Sequence, residues 1–171
     1  MALKFPYANH LTNEEVDYEL VLRNQLEERQ KDMPIKLRLL RRLFQEDKKT
    51  GREYRAPYQF ETEVDLITNR IDQIECLLHD GAHANLLSRL RHYYLRVQRN
   101  VAANEGGEKT RQRLLNRIEE LLLKTYSKLP PSETEDESTA ADLLRKEGGD
   151  SLAGTGKTGG ALGNVSLGAI P

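Results

Sequence analysis

The run FETEVDLITNRIDQIECLL, Phe60 to Leu78, spaces its apolar residues at Phe60, Val64, Ile67, Ile71, Ile74 and Leu78. Steps of four and three bring all six to one side of a helix that turns about 100° per residue, a stripe narrow enough for a coiled-coil seam. A second stripe follows at Leu86, Leu90, Tyr93, Val97 and Val101, and a third at Leu114, Ile118, Leu121 and Thr125. The joints between them, His79-Asp80-Gly81-Ala82 and Ala103-Asn104-Glu105-Gly106-Gly107, are short and contain glycine. Joints that short favour antiparallel neighbours. The expectation is a three-helix antiparallel bundle over 60–127.

Upstream, 11–50 carries the marks of a helical hairpin. Thr12 precedes Glu15 by three, the pattern of a capping box, and Glu14, Glu15 and Asp17 sit where the helix dipole favours acids. This first helix is expected to run through Leu20, Leu22 and Leu26 to about Gln30. Asp32-Met33-Pro34 restarts the chain with proline near a first helical position, and the second helix is expected over Pro34 to Gln45. Residues 1–10 read as an irregular lead and 51–59 as a linker. From 128 onward, Pro130-Pro131, an acidic hydroxyl-rich segment and a Gly-rich run predict a disordered tail. The predicted fold class is therefore all-α: hairpin, bundle, tail.

Composition narrows the function classes. Charged residues make up 31% of the 171 and apolar ones 37%, which suits solvated helices better than a thick globular core. Net charge is −1, so no global field draws the chain to nucleic acid or membrane. The local distribution is uneven. Residues 12–33 hold seven acids against three bases, and 34–55 eight bases against three acids. A single cysteine, Cys76, rules out an internal disulfide and a Cys-based zinc site; beside the seam it is expected to be a buried thiol. No apolar run approaches a membrane span and no leader pattern is evident, so the expectation is an intracellular protein, cytoplasmic or nuclear, without membrane contact.

Chemistry-bearing motifs are few. Gly154-Thr155-Gly156-Lys157-Thr158 ends like a phosphate-binding loop, but Ser151 stands where its first glycine belongs and no strand precedes it. His79 and His83 flank Gly81, the mark of a turn rather than of a metal pair. Ser132 and Thr134, each with an acid three residues on, read as parts of a solubilising linker. No nucleophile, base and acid group together, and no small-molecule substrate, metal or cofactor is implied. The expectation is a non-enzyme.

The runs LTNEEVDYELVLRN (Leu11 to Asn24) and KLRLLRRLFQED (Lys36 to Asp47) resemble the N-terminal segment of Gag-like proteins of arthropod LTR retrotransposons, a SAP-like helical hairpin. Leu11, Glu15, Tyr18, Glu19, Leu20 and Arg23 carry the match, followed by Leu40, Arg41 and Leu43. Ile71, Ile74, Leu86, Arg89, Leu90, His92 and Arg96 resemble the helical region that follows. The resemblance covers roughly residues 11–100 and implies assembly and nucleic-acid association, although neither a capsid domain nor a zinc knuckle is visible.

Two functional readings result. In the first, the helices are an assembly or protein-interaction module that self-associates through the seam Phe60, Val64, Ile67, Ile71, Ile74 and Leu78. In the second, Arg38, Arg41, Arg42, Lys48 and Lys49 on the second helix meet the phosphates of DNA or RNA without sequence preference. Charge placement separates them. If acidic helix one neutralises basic helix two, the first reading gains; if the basic arc stays unpaired, the second does. The balance in the sequence alone leans to assembly.

Overall fold

A computed structural model describes residues 5–81 and 84–130. The acidic and Gly-rich tail, with Ser132, Thr134 and the Gly154–Thr158 motif, lies outside the described residues, as does His83. Among the described residues every regular element is helical. Five α-helices run α1 (Asn13–Leu22), α2 (Met33–Thr50), α3 (Phe60–Asp80), α4 (Ala84–Arg99) and α5 (Glu105–Lys128), with 3-10 turns at Ala8–His10 and Leu26–Gln30.

The expected hairpin-plus-bundle architecture is present, and each half has its own apolar cluster. Val16 and Leu20 of α1 meet Leu40 and Phe44 of α2, closed off by Ala8 and Leu11. Ile67, Ile71 and Ile74 of α3 meet Leu86, Leu90, Tyr93 and Val97 of α4 and Leu114, Ile118 and Leu121 of α5. Short connections make consecutive bundle helices antiparallel, so α3 and α5 run the same way. Glu61 at the start of α3 accepts from the Ala103 amide just before α5, and Arg117 farther down α5 reaches Asp72 and Glu75 farther down α3. Residues 1–130, hairpin and bundle together, make one unit.

Local chemistry explains the helix ends. Thr12 caps α1 reciprocally: its hydroxyl accepts from the Glu15 amide while Glu15 accepts from the Thr12 amide at 2.9 Å. The helix then stops at Leu22, well short of Gln30. Asn24 takes a left-handed conformation, φ 59°, which breaks the i→i−4 ladder and which asparagine tolerates better than most residues. Conversely α2 runs past Gln45 to Thr50. It ends where Gly51 adopts φ 64° and its amide bonds back to the Asp47 carbonyl. Asn104 starts α5 by accepting from the Gly107 amide at 2.8 Å, so Gly106 and Gly107 belong to the first helical turn rather than to the joint.

Two further expectations are corrected. Val101 lies beyond the end of α4 and is 70% exposed, so it is no part of the second stripe. Cys76 is exposed, not buried. It lies midway between Ile74 and Leu78, about 200° round the helix from either, and so on the side opposite the seam.

Candidate nucleic-acid interface

The turn of α2 separates two faces. Leu40 and Phe44, with the buried Lys36 and Asp47, point at α1. About half a turn away, Arg38, Arg41, Arg42, Lys48 and Lys49 fall within one arc. Four of them are exposed and Arg41 is half-buried. The extension of α2 beyond Gln45 matters here, because it brings Lys48 and Lys49 onto the same helical face as the three arginines. Both lysines also sit in the last turn, where the negative end of the helix dipole favours them. Among the described residues none of the five makes an ion pair; Lys48 lies 6.0 Å from the Phe5 ring centroid, a distant cation–π contact.

The bases are left unpaired because the acids of α1 face a different helix. Glu15 accepts from Arg89 Nε of α4 at 2.9 Å. Glu19 takes a hydrogen bond from Arg23 Nη1 at 2.6 Å, lies 2.7 Å from His92 Nδ1, and has Arg99 at 3.7 Å. Glu14 contacts Arg96 and Arg70. Between α1 and α2 the ion pairs are Asp17 with Lys36, at 2.8 Å, and the reverse pairing of Arg23 with Asp47, at 2.8 Å. Acidic helix one therefore leaves the outer arc of helix two untouched.

The α1–α4 interface has the electrostatics of a buried network. Glu15, Glu19 and His92 are essentially inaccessible, and Arg96 is 2% exposed. Burial alone pushes the Glu19 carboxyl up; the hydrogen bond and charge of His92, then the charges of Arg23 and Arg99, outweigh it and hold Glu19 far below the ordinary carboxylate range. Glu15 behaves alike, burial opposed by the charge of His92, the Thr12 amide and Arg89. Arg96 bridges Glu63 of α3 and stacks 3.9 Å from the Tyr18 ring centroid, which closes the junction of α1, α3 and α4. A carboxylate–imidazole pair such as Glu19–His92 has the parts of a general base, but its full burial keeps it from any substrate in this conformation. Its role is to tie α1 to α4. Among the described residues no group of three or more His, Cys, Asp and Glu is placed to hold a metal, and no helix is long and apolar enough to cross a membrane.

The two sets of predicted site residues occupy separate places. Phe60, Ile67, Ile71 and Ile74 are at most 1% exposed, inside the chain's own bundle, and Val64 and Leu78 pack half-buried at the margin of that cluster. A seam closed within one chain offers nothing to a second. The α4 bases Arg89, His92, Arg96 and Arg99 are the docking surface for α1. A signal did exist. Glu15 and Glu19 are four apart, and 89, 92, 96 and 99 step by three and four, so two stripes of opposite charge share one helical period. Comparisons with family models, curated proteins and solved structures return no match for this chain.

Proposed function

We propose that this chain is a non-enzymatic nucleic-acid-binding module that holds the phosphate backbone of DNA or RNA along the outer face of α2. The observation that carries the proposal is the row of five bases, Arg38, Arg41, Arg42, Lys48 and Lys49, on one helical face with no carboxylate partner among the described residues. Unpaired cations on a rigid helix lose little on meeting phosphate, because no internal ion pair must first break. Without base-edge geometry in that row, binding along it is sequence-tolerant. The Gag-like resemblance is consistent with such a role, although of the residues that carry it Glu15, Tyr18, Glu19, Arg89, His92 and Arg96 hold α1 against α4, and Arg23 ties α1 to α2, rather than facing solvent. Self-association through the α3 stripe loses support from the same geometry, since that stripe lies in the intrachain core.

The test is fluorescence anisotropy of a labelled oligonucleotide titrated with the full chain between 50 and 200 mM salt. Five phosphate contacts on a single strand give a slope of about −3.5 in log K against log salt, roughly a hundredfold loss over that range. The double variant Arg41→Gln, Arg42→Gln removes two contacts and flattens the slope by about 1.4. An unchanged slope takes both arginines out of the interface.

A further inference from the structure

Where the basic face of α2 ends, a cavity of about 470 Å³ opens between the residues after α1, the last turns of α2 and the extended segment beyond Gly51. Tyr54 forms part of its wall. That side chain stands on an irregular segment, yet it is held firmly. Its hydroxyl donates to Asp47 Oδ1 at 2.6 Å, and the Arg23 guanidinium lies 4.7 Å from its ring centroid. Arg23 is in turn clamped by Glu19 and Asp47, so the buried ion network extends to this ring. Three other lining groups remain available. The Arg52 guanidinium is exposed, lies 5.5 Å from the same ring centroid and has no carboxylate partner. The Gln25 side-chain amide has no hydrogen-bond partner among the described residues, and the Glu46 carboxylate is exposed and without an ion pair.

We infer that this cavity receives one unstacked nucleobase, so that the interface takes single-stranded nucleic acid in preference to duplex. The inference rests on the phosphate-binding role proposed above and names the substrate class of that surface. A base is planar and polarisable, and stacks on an aromatic ring or an arginine plane without regard to its identity. Tyr54 and Arg52 supply both surfaces. The Gln25 amide, with one acceptor and two donors, and the acceptor-only Glu46 can meet the polar edge of a base. Around α2, Arg42 and Lys49 fall next to the cavity-lining Glu46, where the phosphates flanking that base would run. The volume exceeds what one base needs and leaves room for its sugar. In a duplex the bases are stacked and paired, so a base must first be extruded at a cost.

The test uses the full chain and three labelled probes with equal numbers of phosphates per strand: an oligo(dA) single strand, the same strand with abasic residues throughout, and a blunt duplex. The single strand is expected to bind about tenfold more tightly than the abasic strand. It is also expected to bind more tightly than the duplex, against the order that charge density alone would set. Tyr54→Ala is expected to erase the advantage over the abasic strand while leaving the salt slope unchanged, and Tyr54→Phe to retain it. As a check that needs no variant, 2-aminopurine in the single strand is expected to lose emission on binding as it stacks. Equal affinities for single and abasic strands, with a normal salt slope and unquenched 2-aminopurine, overturn the base cavity and leave the phosphate surface standing. Failure of all three probes to bind at 50 mM salt overturns the phosphate surface, and the cavity with it.

Discussion

Glu19→Gln is the substitution that most directly tests why the hairpin sits on the bundle. Glu19 is 1% exposed and joins an imidazole and two arginines: His92 at 2.7 Å, Arg23 at 2.6 Å and Arg99 at 3.7 Å. Glutamine preserves shape but removes the charge, leaving the Arg99 guanidinium without its counterion. Breaking one partner of a buried ionic group costs about 3–5 kcal/mol, because the remaining charge stays desolvated. At roughly 4 °C per kcal/mol for a domain of this size, the expected drop in Tm is about 12–20 °C. Urea unfolding followed by circular dichroism measures the same loss as a shift in midpoint. The effect carries a pH signature. Because the folded-state pKa of Glu19 is depressed, its stabilisation is fully present above the ordinary carboxylate value of 4.5 and is lost as pH falls toward the folded value. Protonated Glu19 and glutamine are both neutral, so the gap between wild type and variant closes on acidification from about pH 4.5 downward. Other carboxylates titrate in both proteins and cancel in the difference. A loss below about 1 kcal/mol at pH 7, or a gap that stays constant from pH 7 to pH 3, would refute the claim that ionised Glu19 is the tie.

The remaining predictions concern surfaces. Light scattering during size-exclusion chromatography of the full chain, without oligonucleotide, is expected to return the mass of one chain at low and high salt, because the α3 stripe is closed internally; a dimer would restore the assembly reading through another surface. Cys76, exposed on the outer side of α3, is expected to react stoichiometrically with a thiol reagent in the native state, and protection that disappears only on unfolding would contradict its placement. The reduced salt slope of the Arg41→Gln, Arg42→Gln variant and the strand preference at Tyr54 complete the set.

Much of the helical framework is legible in the chain because its signals are local. The apolar stripes at Ile67, Ile71 and Ile74 and at Leu86, Leu90 and Tyr93 follow from a period of 3.6, and the Thr12–Glu15 cap from groups three residues apart. The ends of α1 and α2 are harder to read, since Asn24 and Gly51 each stop a helix by a backbone choice that competes with continued propensity. Cys76 is a misreading of phase: nearness in sequence to the seam says nothing of angle around the helix.

Sequence by itself determined which segments are helical, which face of each is apolar, and that acids and bases gather in separate stripes. It could not determine which stripes meet. An amphipathic helix specifies that its apolar face must be covered, not whether its own chain or another covers it, and a charged face can meet water, phosphate or an opposite charge with little local distinction. Tertiary structure decided that the α3 seam closes within the chain. It also set the acids of α1 against Arg89, His92, Arg96 and Arg99 of α4 and left Arg38, Arg42, Lys48 and Lys49 exposed and the half-buried Arg41 without an ion pair. The physical reason is that periodicity is a property of each helix, whereas desolvation and ion pairing depend on how the helices are assembled around one another.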